Sequence, residues 1–147
     1  MCLGGHLAFR CALQPEVTAA ACLFATDIQQ GSLGKGGDDT LSRIPELAAG
    51  GKEMLMVFGK QDNHVPFEGR ALIHKTLSEA GVDFQWCELN ARHAFIRDEM
   101  SKGRYDPALA SIVHQLCTEL FHRRLVLGFP STSGVTAQAG APGPAKC

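Results

Sequence analysis

Three residues carry the side chains that acyl transfer needs, and they stand in the order Cys2, Asp62, His93. A thiol attacks a carbonyl as its thiolate, so it needs a base to take its proton. A histidine serves, and a carboxylate behind it fixes the imidazole tautomer and steadies the cation that forms. Around Cys2 the chain reads Met1-Cys2-Leu3-Gly4-Gly5-His6. A cysteine, two glycines and then a helical pattern make a nucleophile elbow, a sharp turn between a strand and a helix. Such a turn predicts that Gly4, two residues past the nucleophile, avoids a collision with neighbouring backbone. The helix after it aims its first amides and positive dipole end at the site, favouring a thiolate or an oxyanion. The amide of Leu3, directly after the nucleophile, is the expected oxyanion donor.

The elements that must hold these residues follow from periodicity and breakers. Gly5 to Gln14 reads as a helix, with Leu7, Ala8, Cys11 and Ala12 at helical spacing and Pro15 as the stop. Val17 to Phe24 is an apolar run long enough for one buried strand, and Ala25 to Asp39 is a glycine-rich loop. Within that loop, residues 31–37 lack the G-x-x-x-x-G-K-[ST] order of a phosphate loop and read as a connection. Thr40 caps a short helical turn through Leu47. Met54 to Phe58 is a continuous apolar strand of the kind covered on both faces in a parallel sheet. Pro66 opens a helix to about Ala80, with Leu72, Ile73 and Leu77 inward and Gly81 as its stop. Phe84 to Leu89 is a third strand. Asp106-Pro107 starts the longest helix, to about Leu125, whose expected apolar face is Leu109, Ile112, Val113, Leu116, Leu120 and Phe121.

Helices and strands alternate, which predicts an α/β fold with ligand sites at the carboxyl ends of parallel strands. Asp62 and His93 both fall just past strand ends, and nucleophile, acid, histidine is the chain order of an α/β-hydrolase triad. The segments Cys2-Leu3-Gly4-Gly5-His6, Phe58-Gly59-Lys60-Gln61-Asp62 and Arg92-His93-Ala94-Phe95 resemble the three catalytic blocks of the dienelactone hydrolase family, the carboxymethylenebutenolidases. The resemblance runs from Cys2 to about Leu125. It implies a partial α/β-hydrolase fold and a Cys-Asp-His triad of Cys2, Asp62 and His93, with Leu3 at the oxyanion. It implies hydrolysis of an ester or lactone bond, as in the opening of dienelactone to maleylacetate, with no cofactor. It also implies that Arg97, four residues after His93, holds a substrate carboxylate, for which a planar guanidinium is well shaped. The first glycine of the family's G-x-C-x-G-G block would precede Met1, as would the strands that supply a second oxyanion donor. Residues 1–127 are therefore expected to be the C-terminal portion of such a domain, weak as a hydrolase by themselves. The other expectation is a truncated, non-catalytic fragment serving as an interaction module.

Composition narrows the partners. Lys and Arg total 14 against 15 Asp and Glu, which gives no charge excess for nucleic acid or an anionic membrane. No apolar run approaches the ~20 residues of a membrane span. The six cysteines, Cys2, Cys11, Cys22, Cys87, Cys117 and Cys147, show no C-x-x-C pair. Cys11, Cys22, Cys87 and Cys117 fall in apolar segments and read as core residues, reduced in a cytoplasmic setting. Cys2 and His6 have metal-like spacing but no second ligand pair, so no metal is expected. His74, His114 and His122 read as surface or boundary residues, His6 as part of the elbow helix and His64 as a loop residue. From residue 128 to 147 the chain turns to Gly, Ala, Pro, Ser and Thr, which predicts a disordered tail. The apolar Val17–Phe24 strand, with one edge unpaired, predicts self-association.

Overall fold

The computed structural model describes residues 1–33, 38–97 and 103–131. The tail past residue 131 and most of the glycine-rich stretch at 31–37 lie outside the described residues. The order of elements is α1 (Leu3–Cys11), β1 (Ala19–Leu23), α2 (Ile44–Ala49), β2 (Glu53–Gly59), α3 (Phe67–Glu79), β3 (Asp83–Leu89) and α4 (Pro107–Phe121), which runs into a π-helical turn at His122–Val126. Strand and helix alternate as the sequence pattern requires.

Among the described residues the sheet has the order β1-β2-β3, and both pairings are parallel. Ala19 stands opposite Glu53 and Leu23 opposite Val57, while Glu53 faces Asp83 and Gly59 faces Leu89. The middle strand is buried at every position, because both of its faces are covered. Met54, Met56 and Phe58 point into a core with Phe9, Ile44, Leu47, Ile73 and Leu77 from α1, α2 and α3. Leu55 and Val57 point the other way, toward Ala110, Val113 and Leu120 of α4. The result is three layers, with three helices on one face and α4 on the other.

Local signals set the helix ends. Asp106 caps α4 by accepting from the amide of Leu109 at 2.9 Å, and Gly81 leaves α3 at φ 70°. At the amino end of β2, the buried Lys52 ammonium donates to the carbonyls of Gln14, Pro15 and Val17, tying the α1–β1 connection to the sheet. Glu53 next to it receives Arg123 at 2.6 and 2.8 Å, so the turn after α4 is locked to the central strand.

Several expected positions differ. Leu72 is 43% exposed, because the inward face of α3 is Gly69, Arg70, Ile73 and Leu77 and Leu72 sits about a third of a turn from its centre. On α4 the buried line is Ala110, Val113 and Leu120, which leaves Ile112 and Phe121 on its flanks, both exposed. Cys22 is buried and Cys87 and Cys117 are half-buried, but Cys11 is exposed on the outer side of α1. His6 is fully buried, its Nε2 at 2.6 Å from the Thr40 hydroxyl. Burial holds its imidazole below the ordinary histidine range.

Candidate active site

Cys2 lies at the start of α1 with φ 54° and ψ −131°, a conformation costing about 1–3 kcal/mol in a residue with a side chain. Its neighbours impose it. The Cys2 amide donates to Leu23 O at the end of β1 (3.1 Å), and its carbonyl accepts from the amides of Gly5 (2.9 Å), His6 (3.2 Å) and Thr26 (3.4 Å). The close approach of α1 to β1 falls at Gly5, where a Cβ would stand 2.8 Å from Leu23 O. Gly4, the expected contact, has open space around it. Leu3 is the first residue of α1, so its amide belongs to the set that a helix leaves without a partner of its own.

Asp62 follows β2 in a turn closed by its amide on Gly59 O at 3.1 Å. Its Oδ1 accepts from the amides of His64 (2.8 Å) and Val65 (3.3 Å), an Asx turn that fixes the carboxylate's direction. Burial works to raise its pKa, but the bond from His93 and those from the two amides outweigh it and hold the carboxyl below the usual range. The loop after β3 is stitched to this turn, with Lys60 N–H on Leu89 O at 2.7 Å and Gln61 N–H on Ala91 O at 3.0 Å. Gly59 permits the stitching, since a Cβ there would meet Ala91 O at 2.3 Å.

His93, on that second loop, is 7% exposed. Its Nδ1–H donates to Asp62 Oδ2 at 2.7 Å, and its Nε2 lies 3.1 Å from Cys2 Sγ. An ionised carboxylate only accepts, so the proton belongs on Nδ1 and Nε2 is left to accept from the thiol. The arrangement is able to take a proton from Sγ and to stabilise the resulting imidazolium. Phe24 meets the His93 ring edge-on at 5.4 Å, and His64 lies over it at 4.4 Å between ring centres.

A cavity of about 400 Å³ opens beside His93, lined by Gln61, Asn63, His64, Arg92 and Arg104 as well. Arg97 is exposed and its side chain is not among those lining this cavity, although its amide closes the turn on Ala94 O at 3.0 Å. A larger groove of about 630 Å³ runs along α4 past Tyr105, Ser111 and His114 and touches none of Cys2, Asp62 and His93. Among the described residues no group of three His, Cys, Asp or Glu is placed to hold a metal ion. Phe24, His64 and Arg104 were not singled out for the site from the sequence, because ring contacts and cavity walls arise between loops distant along the chain. The short spacing Asp62-x-His64 was the one available signal for His64.

A parallel α/β sheet with a cysteine in a strained conformation at the start of a helix, and an acid and a histidine just past the ends of β2 and β3, is the framework of an α/β-hydrolase, here in part. The family model of the dienelactone hydrolase family matches residues 1–125, and the chain belongs to that family. A Saccharomyces cerevisiae protein named "Putative carboxymethylenebutenolidase" is 49% identical over 127 residues, 85% of this chain and 46% of the yeast protein. The crystal structure of a "Putative Dienelactone Hydrolase" from Klebsiella pneumoniae superposes with a TM-score of 0.71 at 20% identity, over 84% of this chain and 50% of that one. A dienelactone-hydrolase-like promiscuous phosphotriesterase from metagenomic libraries gives 0.64 at 21% identity, over 84% and 49%. The chain thus spans about half the length of the relatives it matches.

Proposed function

We propose that the protein hydrolyses carboxylic esters or lactones through a cysteinyl acyl-enzyme, with Cys2 as nucleophile, His93 as general base and Asp62 as its orienter. The observation that carries this reading is the continuous contact Cys2 Sγ to His93 Nε2 to Asp62, at 3.1 and 2.7 Å, built on a strained residue 2. His93 takes the thiol proton as Sγ attacks the acyl carbon, and the Leu3 amide donates to the oxyanion. Collapse breaks the acyl C–O bond, and the imidazolium returns its proton to the leaving alkoxide. Water, deprotonated by His93, then attacks the thioester and releases the acid and the thiol. Nothing in this cycle calls for a cofactor or metal. Arg97 is assigned to the carboxylate of an acidic substrate, reached from the exposed end of the His93 loop. In this reading the chain acts in the cytoplasm on a small ester or lactone, with no nucleic-acid or membrane partner. Residues 1–127 are the C-terminal portion of a hydrolase domain and 128–147 a tail outside its core.

The test is acylation by p-nitrophenyl acetate. One acetyl group on Cys2, seen by intact mass, and release of p-nitrophenol that Cys2→Ala abolishes, are expected. Identical release by the wild type and Cys2→Ala would overturn the reading. A second reading, a non-catalytic fragment that binds another chain, is favoured by one observation. Among the described residues the outer edge of β1 has no partner strand. Self-association through that edge belongs to this second reading as well as to the first.

A further inference from the structure

His64 lies outside the three roles just assigned, yet its ring lies against that of His93. Its ring centre is 4.4 Å from that of His93, with the planes inclined at 42°. Its backbone is held at both ends. The amide donates to Asp62 Oδ1 at 2.8 Å, and the carbonyl accepts from Gln29 Nε2 at 3.1 Å. Gln29 in turn is packed against Gly69 of α3, where a Cβ would come within 2.8 Å of Gln29 Cγ. Three elements therefore hold the backbone that carries this exposed imidazole: the Asp62 turn, the loop after β1 and the start of α3.

We propose that His64 is a positioning residue for His93, its ring backing the His93 ring so that Nε2 stays in line with Cys2 Sγ. This rests on His93 being the base. Asp62 holds Nδ1 at 2.7 Å and Phe24 meets the ring edge-on at 5.4 Å, and the His64 ring at 4.4 Å restrains the remaining tilt of the imidazole about its bond to Asp62.

Two substitutions separate the ring contact from its loss. In His64→Phe the ring contact persists, and in His64→Ala it is gone. His64 is exposed on a loop, so neither change removes a core contact. The first readout is the nuclear Overhauser contact between the His93 ring and the Cys2 β-protons in the histidine-labelled 147-residue chain. It should persist in His64→Phe and weaken in His64→Ala. The second is p-nitrophenyl acetate hydrolysis. Only His64→Ala should lose plateau kcat, about tenfold with KM nearly unchanged, as misplacement of a catalytic group does. An undiminished Overhauser contact or kcat in His64→Ala, or an equal loss in His64→Phe, overturns the positioning role. Absence of any Cys2-dependent turnover in the wild type would defeat the hydrolase reading, while the Overhauser contact would still decide whether His64 holds the His93 ring.

Discussion

Asp62 is buried to 3% exposure and still favours its charged form, because three donors converge on its two oxygens. Replacing it by Asn keeps the shape and removes the acceptor for Nδ1–H. The imidazole then has no reason to keep its proton on Nδ1, and an Nε2–H cannot accept from the thiol. We expect Asp62→Asn to cut kcat by about 10²–10⁴-fold with the fold retained, the scale seen when a triad loses its tautomer control. The same carboxylate links stability to pH. Its folded pKa lies below the ordinary value of 3.8, so its contribution is complete above that value and is lost as pH falls through the lower, folded one. Urea midpoints of wild type and Asp62→Asn should accordingly differ near neutrality and converge in strong acid. A gap that stays constant with pH would show that the carboxylate's charge does not stabilise the fold. Asp62 and His93 were legible in the sequence because each stands just past an expected strand end, in the segments Phe58-Gly59-Lys60-Gln61-Asp62 and Arg92-His93-Ala94-Phe95. His64 and Phe24 were not, since their contact with His93 joins loops that only the finished sheet brings together.

At the level of elements, the central strand was the easiest part to read. Met54 to Phe58 has no polar residue, so only a strand covered on both sides accommodates it. Helix phase was harder. The pairs Leu72–Ile73 and Ile112–Val113 each hold two apolar neighbours of which one faces in, and the choice depends on which stripe the sheet presents. The glycine at the end of β2 ties packing to the site. A methyl group at Gly59 would press on Ala91 O at 2.3 Å, in the backbone that leads to His93. We expect Gly59→Ala to destabilise the chain by about 1–3 kcal/mol, the usual cost of overpacking, and to lower kcat more than a mutation of equal cost elsewhere. Ile73→Val, in the core but away from the loops, is the comparison, at about 0.5–1.5 kcal/mol. If the two variants lost activity only in proportion to stability, Gly59 would have no particular hold on His93.

Across the whole molecule two features bear on how it exists in solution. Arg123 and Arg124 close on the buried Glu53, fastening the last turn to the sheet. Beyond them Leu125, Val126, Leu127 and Phe129 are all at least half exposed. Among the described residues β1 pairs with β2 alone, and its outer edge takes a bond from the Cys2 amide at Leu23 O. Both the edge and the apolar turn are candidates for contact between copies, but they differ in kind. A strand edge offers unpaired backbone groups that another strand satisfies completely, whereas the turn offers only apolar surface. We therefore expect sedimentation velocity to show species larger than a monomer that grow with concentration, and we assign them to the edge. A lysine at exposed Thr18, directly before β1, should return the chain toward monomer, because a charge at a strand edge discourages pairing. Leu127→Lys should leave the distribution as it was. The reverse pattern would move the contact to the turn after α4, and a monomer at every concentration would remove self-association altogether.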